Sequence, residues 1–313
     1  MDLGEVIASY APSMERVEEV IHRVEQGAQS PAKEILAYLN DRGGKKLRPL
    51  LVIMSSSLFG SIPSQAILVA GAAELIHTAA LLHDDVVDEA NIRRNGPTVN
   101  HLWGDKAAVL VGDYLLAEAL RLLLDTDLRM IGIMAEVVAD MCTGELDQLC
   151  NRFNPNQALA AYLKRVEQKT ARFFSACCRA GALLGGASSS QAEALAFYGL
   201  NIGMAFQLID DLLDLQGEAR LLGKAIRQDL AAGVLTLPVL YLLDDPHWGS
   251  LVQDNLREPN LLVDWAKQSG AIDRSWNTAR GYARSALNSL DLLPGKDHRH
   301  LQAISQFILC RQV

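Results

Sequence analysis

Two short stretches hold the residues best suited to chemistry. HDDVVDEANIRR, residues 83–94, crowds acids against an arginine pair, and QLIDDLLDLQG, residues 207–217, repeats its acidic spacing. Each places aspartates at i, i+1 and i+4: Asp84, Asp85 and Asp88, then Asp210, Asp211 and Asp214. On a helix that spacing confines three carboxylates to an arc of about 100°. Like charges so close resist joint ionisation unless a cation neutralises them. An all-oxygen face suits Mg²⁺, which keeps some of its water and binds phosphates alongside carboxylates. Neither run has the glycine or the twelve-residue spacing of an EF-hand loop. A solvated acidic helix end is the lesser alternative even for one motif alone, and two such motifs on apolar helices point to two metal clamps facing one cavity.

Metal held by acids calls for an anionic substrate, and basic residues supply places for it. GGKKLRP, residues 43–49, sets Lys45, Lys46 and Arg48 on a glycine-flexible turn opening a helix. There the free backbone N–H groups and the helix dipole add to anion binding. Arg93 and Arg94 follow the first acidic motif, and YLKRVEQKTARF, residues 162–173, adds Lys164, Arg165, Lys169 and Arg172. His77 lies seven residues, about two turns, before Asp84 on the same helix face.

The elements that must position these groups are helical. Apolar residues recur at helical spacing almost throughout, with little alternation of the strand kind. SPAKEILAYLNDRGG predicts a helix with Ser30 as N-cap, Pro31 at its first position and Gly43-Gly44 at its exit. AAELIHTAALLHDDVVDEA and LAFYGLNIGMAFQLIDDLLDL are apolar on most faces, which predicts helices buried in the middle of a bundle. LGGASSSQ, residues 184–191, reads as a long turn, and no Pro- or Ser-rich linker divides the chain. The expectation is an all-α fold with residues 1–313 as a single domain. Half of the 313 residues are hydrophobic, enough for a large core, and a net charge of -8 argues against a general nucleic-acid binder. Five cysteines, odd in number and without metal-type spacing, fit reduced core residues. The N-terminus shows no export signal, and AAVLVGDYLLAEALRLLL is interrupted by Asp113 and Glu118, so a soluble cytoplasmic protein without an integral membrane segment is expected.

In these motifs and their order the chain resembles the trans-type polyprenyl diphosphate synthases, the polyprenyl synthetase family. The resemblance runs through GGKKLRP, LIHTAALLHDDVVDEANIRRNGPTVN, GDYLLAEAL, YLKRVEQKTA, GMAFQLIDDLLDLQG, GKAIRQDLAAGVLTLP and LNSLDLLPGKDHRHLQAISQFILCR. It implies the isoprenoid synthase fold, a homodimeric bundle of mostly antiparallel helices around a deep cavity, and Mg²⁺, three per loaded site. It also implies head-to-tail 1'-4 condensation: an allylic diphosphate loses pyrophosphate, isopentenyl diphosphate attacks the allylic cation, and a proton leaves. Position by position, Asp84, Asp85, Asp88, Asp210, Asp211 and Asp214 match the metal ligands. Lys45, Arg48, His77 and Arg94 match the isopentenyl diphosphate site. Arg93, Lys169 and Lys224 match contacts to the allylic diphosphate, with Gln207 in the second motif and Asp229 in the following loop.

Two departures stand out. Where the family usually has a lysine five positions after Asp229, this chain has Val234, and Arg227 stands where glycine is usual. Arg227 is expected to replace the lost charge, so that Arg227→Ala raises the Michaelis constant for the allylic substrate. Product length is read from the helix of the first motif, where Ala80, Ala79 and Ile76 fall on one wall running back from Asp84 at 5.4 Å per turn. The family stops growth early with aromatics at the positions of Ala79 and Ala80. One turn corresponds to roughly one isoprene unit, so a product beyond C15, about C30 to C40, is expected. A C20 synthase, or a weakly active subunit of a hetero-oligomeric synthase, is the alternative.

Overall fold

Almost every described element is a helix, as the apolar periodicity requires. The computed structural model describes residues 3–42, 44–93, 96–216 and 228–310. Among them the exception is a two-stranded antiparallel hairpin, Ile92–Arg93 with Gly96–Pro97, in which Ile92 faces Pro97 and Arg93 faces Gly96. Strands of two residues are too short to display a period of two, so no alternation announces them. The all-α class holds.

Two helix boundaries differ from expectation. The helix Ala32–Asn40 takes Pro31, not Ser30, as its N-cap, and the Ser30 hydroxyl instead donates to Glu34 Oε1 at 2.9 Å. The turn expected over residues 184–191 shrinks to residues 185–188, between the helices Arg172–Leu184 and Ser189–Gln216. A reciprocal cap shortens it: the Ser188 N–H donates to Gln191 Oε1 at 2.9 Å, and the Gln191 N–H donates to Ser188 Oγ at 3.3 Å.

Contacts divide the chain into two compact units. The first comprises Met1–Glu136, Ala176–Ala196 and Leu293–His300. Its axis is the helix Ser64–Val87, which carries the first acidic motif and packs along Asp105–Leu124 and against Leu47–Ser57 and Ala11–Gly27. Glycine sets the helix spacing. A Cβ on Gly112 would overlap the His83 ring, and one on Gly181 or Gly185 would overlap the backbone carbonyl of Val52 or Ser56.

The second unit comprises Val137–Ser175, Phe197–Leu292 and Leu301–Val313. Here the helix Leu159–Val166 widens into a π turn, Glu167–Ala171, and continues as Arg172–Leu184. The helix bearing the second motif, Ser189–Gln216, lays Gly199 and Gly203 against this segment. A Cβ on Gly199 would stand 2.5 Å from the Phe174 carbonyl oxygen, and one on Gly203 would stand 2.7 Å from Ala171 Cα. Further along, Leu237–Leu243 packs on Gly249–Asp254, Pro259–Gln268 and Ala271–Leu290.

Both motif helices are long and apolar enough to cross a membrane by length and composition, with 61% and 72% of the relevant windows buried in the fold. Burial of that extent is what a core helix shows.

Candidate active site

In the first unit, Asp84 and Asp85 lie on the last turn of their helix, which ends at Val87. Asp88 is the C-cap, not a helical residue, so the expected three-carboxylate arc holds for two of the three. The chain stops the helix with a Schellman motif: Glu89 adopts a positive φ of 49°, its N–H donates to Val86 O at 3.2 Å, and the Ala90 N–H donates to Asp85 O at 2.9 Å. Carboxylates at a helix C-terminus face the negative end of its dipole. That is costly, and it draws a cation. Asp85 is only 5% exposed; burial raises its carboxyl above the usual carboxylate range, while Arg93, whose Nε donates to Asp85 Oδ1 at 2.6 Å, opposes the rise.

The hairpin that carries Arg93 is tied down on several sides. Tyr38 Oη donates to Pro97 O at 2.6 Å, and the Arg42 guanidinium stacks 4.4 Å over the Tyr38 ring while lying against Gly96, where a Cβ would displace it. Thr98 Oγ1 donates to Ala90 O at 2.6 Å, and Asn100 Nδ2 donates to Asp85 O at 3.1 Å. Beside the hairpin lies a pocket that brings together His77, Lys46, Arg42, Gly44, Arg93 and Asp85 against Leu75, Leu81 and Leu82. Lys46 enters it from the N-cap of Leu47–Ser57, with φ 44°, and pairs with Glu18. Lys45 is exposed and Arg48 half-buried at the same helix start, and neither lines this pocket. Arg94 lies outside the described residues. The pocket takes one face of the motif helix; Ala79 and Ile76 are buried, Ala80 is half-buried, and none of the three lines it.

In the second unit all three motif aspartates are helical, Asp210 half-buried and Asp211 and Asp214 only 7% and 6% exposed. Each oxygen of Asp211 has a donor: Gln207 Nε2 to Oδ1 at 2.8 Å and Tyr162 Oη to Oδ2 at 2.6 Å. Burial raises the Asp211 carboxyl, the two donors opposing, and burial likewise pushes the Tyr162 phenol well above its usual range. The Gln207 carbonyl accepts from Thr170 Oγ1 at 2.8 Å, a contact that the Gly199–Gly203 approach to the π turn makes possible. Asp214 Oδ2 accepts the Asp229 N–H at 3.3 Å. On the π turn Lys169 pairs with Glu145, and Arg172 anchors the turn by donating to Asp140 at 2.8 Å and to Glu167 at 3.0 Å. Lys164 is exposed. Val234, at the position of the family's extra lysine, is buried. Lys224 and Arg227 lie outside the described residues.

Sequence reasoning singled out the aspartates, Gln207 and Lys169, and passed over Tyr162, Thr170, Glu145 and Tyr38 as functional residues. Their partners stand 24 to 59 positions away in the chain, and no local spacing announces them.

The donor chemistry fits a hard divalent cation. Among the described residues no three acidic, histidine or cysteine side chains converge into a finished cage. Mg²⁺ does not need one, since it is commonly held by one or two carboxylates together with substrate phosphates. Buried carboxylates near the C-terminal ends of two helices, Asp85 on one and Asp211 and Asp214 on the other, supply such ligands.

Comparison with known proteins agrees. The family model described as polyprenyl synthetase matches residues 29–267. The heptaprenyl diphosphate synthase component 2 of Geobacillus stearothermophilus is 34% identical over 96% of this chain and 96% of its own. The nonaprenyl diphosphate synthase of Mycobacterium tuberculosis is 33% identical over 99% of this chain and 96% of its own. Among solved structures, a polyprenyl synthase from Caulobacter crescentus CB15, complexed with calcium and isoprenyl diphosphate, superposes with a TM-score of 0.90 at 33% identity over 98% of this chain and 97% of that one. Paired acidic motifs, an all-helical fold and a family match across most of the sequence lead to one conclusion: the chain belongs to the polyprenyl synthetase family and is a prenyltransferase.

Proposed function

We propose that this chain condenses isopentenyl diphosphate head-to-tail with an allylic diphosphate to make a long all-trans polyprenyl diphosphate, about C30 to C40. The observation that carries the reading is the identity of 33–34% to a heptaprenyl and a nonaprenyl synthase over nearly the whole chain. The small side chains of Ala79 and Ala80, where the family's short-chain members carry aromatics, support it on the side of size. Residues 1–313 act in this reading as one synthase domain.

Asp84, Asp85 and Asp88 on one motif and Asp210, Asp211 and Asp214 on the other are assigned to hold Mg²⁺, three ions per loaded site. When bound, the metal supplies Lewis-acid stabilisation of the departing pyrophosphate. Arg93, Lys169 and Lys224 are assigned to stabilise the charge of that pyrophosphate as it leaves. Arg93 and Lys169 must exchange an acidic partner, Asp85 or Glu145, for the phosphate oxygens. Lys45, Arg48, His77 and Arg94 hold the isopentenyl diphosphate, which needs only positioning. Elongation from farnesyl diphosphate, sized by mass spectrometry, tests the reaction and the length together.

The resemblance favours a homodimer. A second reading is favoured by the Geobacillus relative's description as one component of a heptaprenyl synthase, together with Val234 in place of a family lysine: a different partner chain would then complete the activity. Light scattering and elongation by the purified chain alone separate the two. A dimer that elongates unaided supports the first.

A further inference from the structure

Under the second acidic motif lies a set of buried groups whose only evident work is to hold one carboxylate still. Asp211 has four lone-pair sites on its two oxygens, and two of them are taken by neutral donors, the Gln207 amide at 2.8 Å and the Tyr162 hydroxyl at 2.6 Å. Tyr162 is 1% exposed, so its hydroxyl reaches no solvent and serves this carboxylate alone. Its ring is fixed in turn. The Arg165 guanidinium lies 5.4 Å from the ring centroid, within cation–π range. Arg165 is itself 3% exposed and is lodged between helix and loop, Nη1 3.4 Å from Gln157 Oε1 and Nη2 3.4 Å from the Leu235 carbonyl oxygen. The nearest acid, Asp147, stands 3.9 Å away. A buried arginine with such long contacts is a poor contributor to stability by itself. Its place beneath the Tyr162 ring gives it a task.

We propose that Tyr162 is a positioning residue for cation binding: its hydroxyl, steadied by Arg165 beneath the ring, locks Asp211 in orientation and leaves one lone pair on each carboxylate oxygen for a divalent metal. The inference rests on the reading of Asp211 as a metal ligand. Without the hydroxyl, Asp211 keeps one donor and can turn about its side-chain bonds, so cation binding must first pay to order it. Outer-shell partners of metal ligands are worth roughly 10- to 100-fold in affinity or activity. A residue that merely fills space would be replaced by phenylalanine without such a loss.

The test is thermal unfolding of the full chain in MgCl₂ titrations at fixed inorganic pyrophosphate, for wild type, Tyr162→Phe, Asp211→Asn and the double variant. Expected is a stabilisation whose MgCl₂ midpoint rises about 10-fold in Tyr162→Phe and moves less than about 2-fold when the same change is made on Asp211→Asn. Should Tyr162→Phe fold poorly in the absence of metal, Gln207→Leu removes the other donor, and the same midpoint shift, again lost on Asp211→Asn, is expected. A Tyr162→Phe midpoint within about 2-fold of wild type, or an equal shift on both backgrounds, overturns the inference while leaving the metal reading intact. A wild type that neither gains stability with MgCl₂ nor elongates a prenyl diphosphate overturns both.

Discussion

A carboxylate held at 7% exposure loses most of its hydration, and Asp211 is compensated with two neutral hydrogen bonds rather than a cationic partner. Asp85 receives Arg93 instead. The two motifs, alike in sequence, therefore stand in different electrostatic settings, which spacing alone does not disclose. The wall residues differ just as much. Ala80 is half-buried, and Ala80→Phe is expected to shorten the product towards C15 to C20 at little cost in stability, read by mass spectrometry of the dephosphorylated product and by thermal unfolding. Ala79 is fully buried, so Ala79→Phe should overpack the core by about 1–3 kcal/mol and lower the melting temperature whatever it does to the product. The cysteines divide in the same way. Cys177 and Cys178 are buried and their thiols are pushed up by burial, that of Cys178 to about 12, whereas Cys142, Cys150 and Cys310 are exposed. Titration of the native protein with a thiol reagent at pH 8 should label three cysteines quickly and the remaining two only after unfolding.

At the scale of elements, helix class and motif positions were legible because apolar periodicity and the DDxxD spacing are local signals. The Schellman end after Asp88 was not, because it depends on Glu89 adopting a left-handed conformation that no glycine advertises. The hairpin at residues 92–97 escaped notice for want of length. It is set by Tyr38, on the helix Ala32–Asn40, and by Arg42 just past the end of that helix. Glycine pairs such as Gly181 and Gly185, or Gly199 and Gly203, are visible in the sequence, but only packing tells a close helix approach from a flexible turn. The distinction can be measured. Gly181→Ala gains up to about 1 kcal/mol of helix propensity, yet its methyl group meets the Val52 carbonyl oxygen, part of a backbone that cannot swing aside. The clash should win by roughly 1–3 kcal/mol. Thermal unfolding should show a melting temperature several degrees below wild type; an unchanged or higher one would refute the close approach.

For the molecule as a whole, the family was readable from motif order, and the match over residues 29–267 bears that out. The division into two compact units was not readable, because no linker or change of composition marks it: the units interleave along the chain, exchanging near residues 136, 175, 196, 292 and 300. Product length lies between these cases. It follows from bulk at a few wall positions, from every helix facing them and from any partner chain, so Ala79, Ala80 and Ile76 set an expectation that chemistry must decide. The direct measurement is to incubate the purified chain with Mg²⁺, labelled isopentenyl diphosphate and farnesyl diphosphate, and to size the dephosphorylated products by mass spectrometry. Products of about thirty carbons or more, abolished by EDTA and restored by Mg²⁺, are predicted. Growth that halts at C20, or no elongation from any allylic starter, would contradict the account.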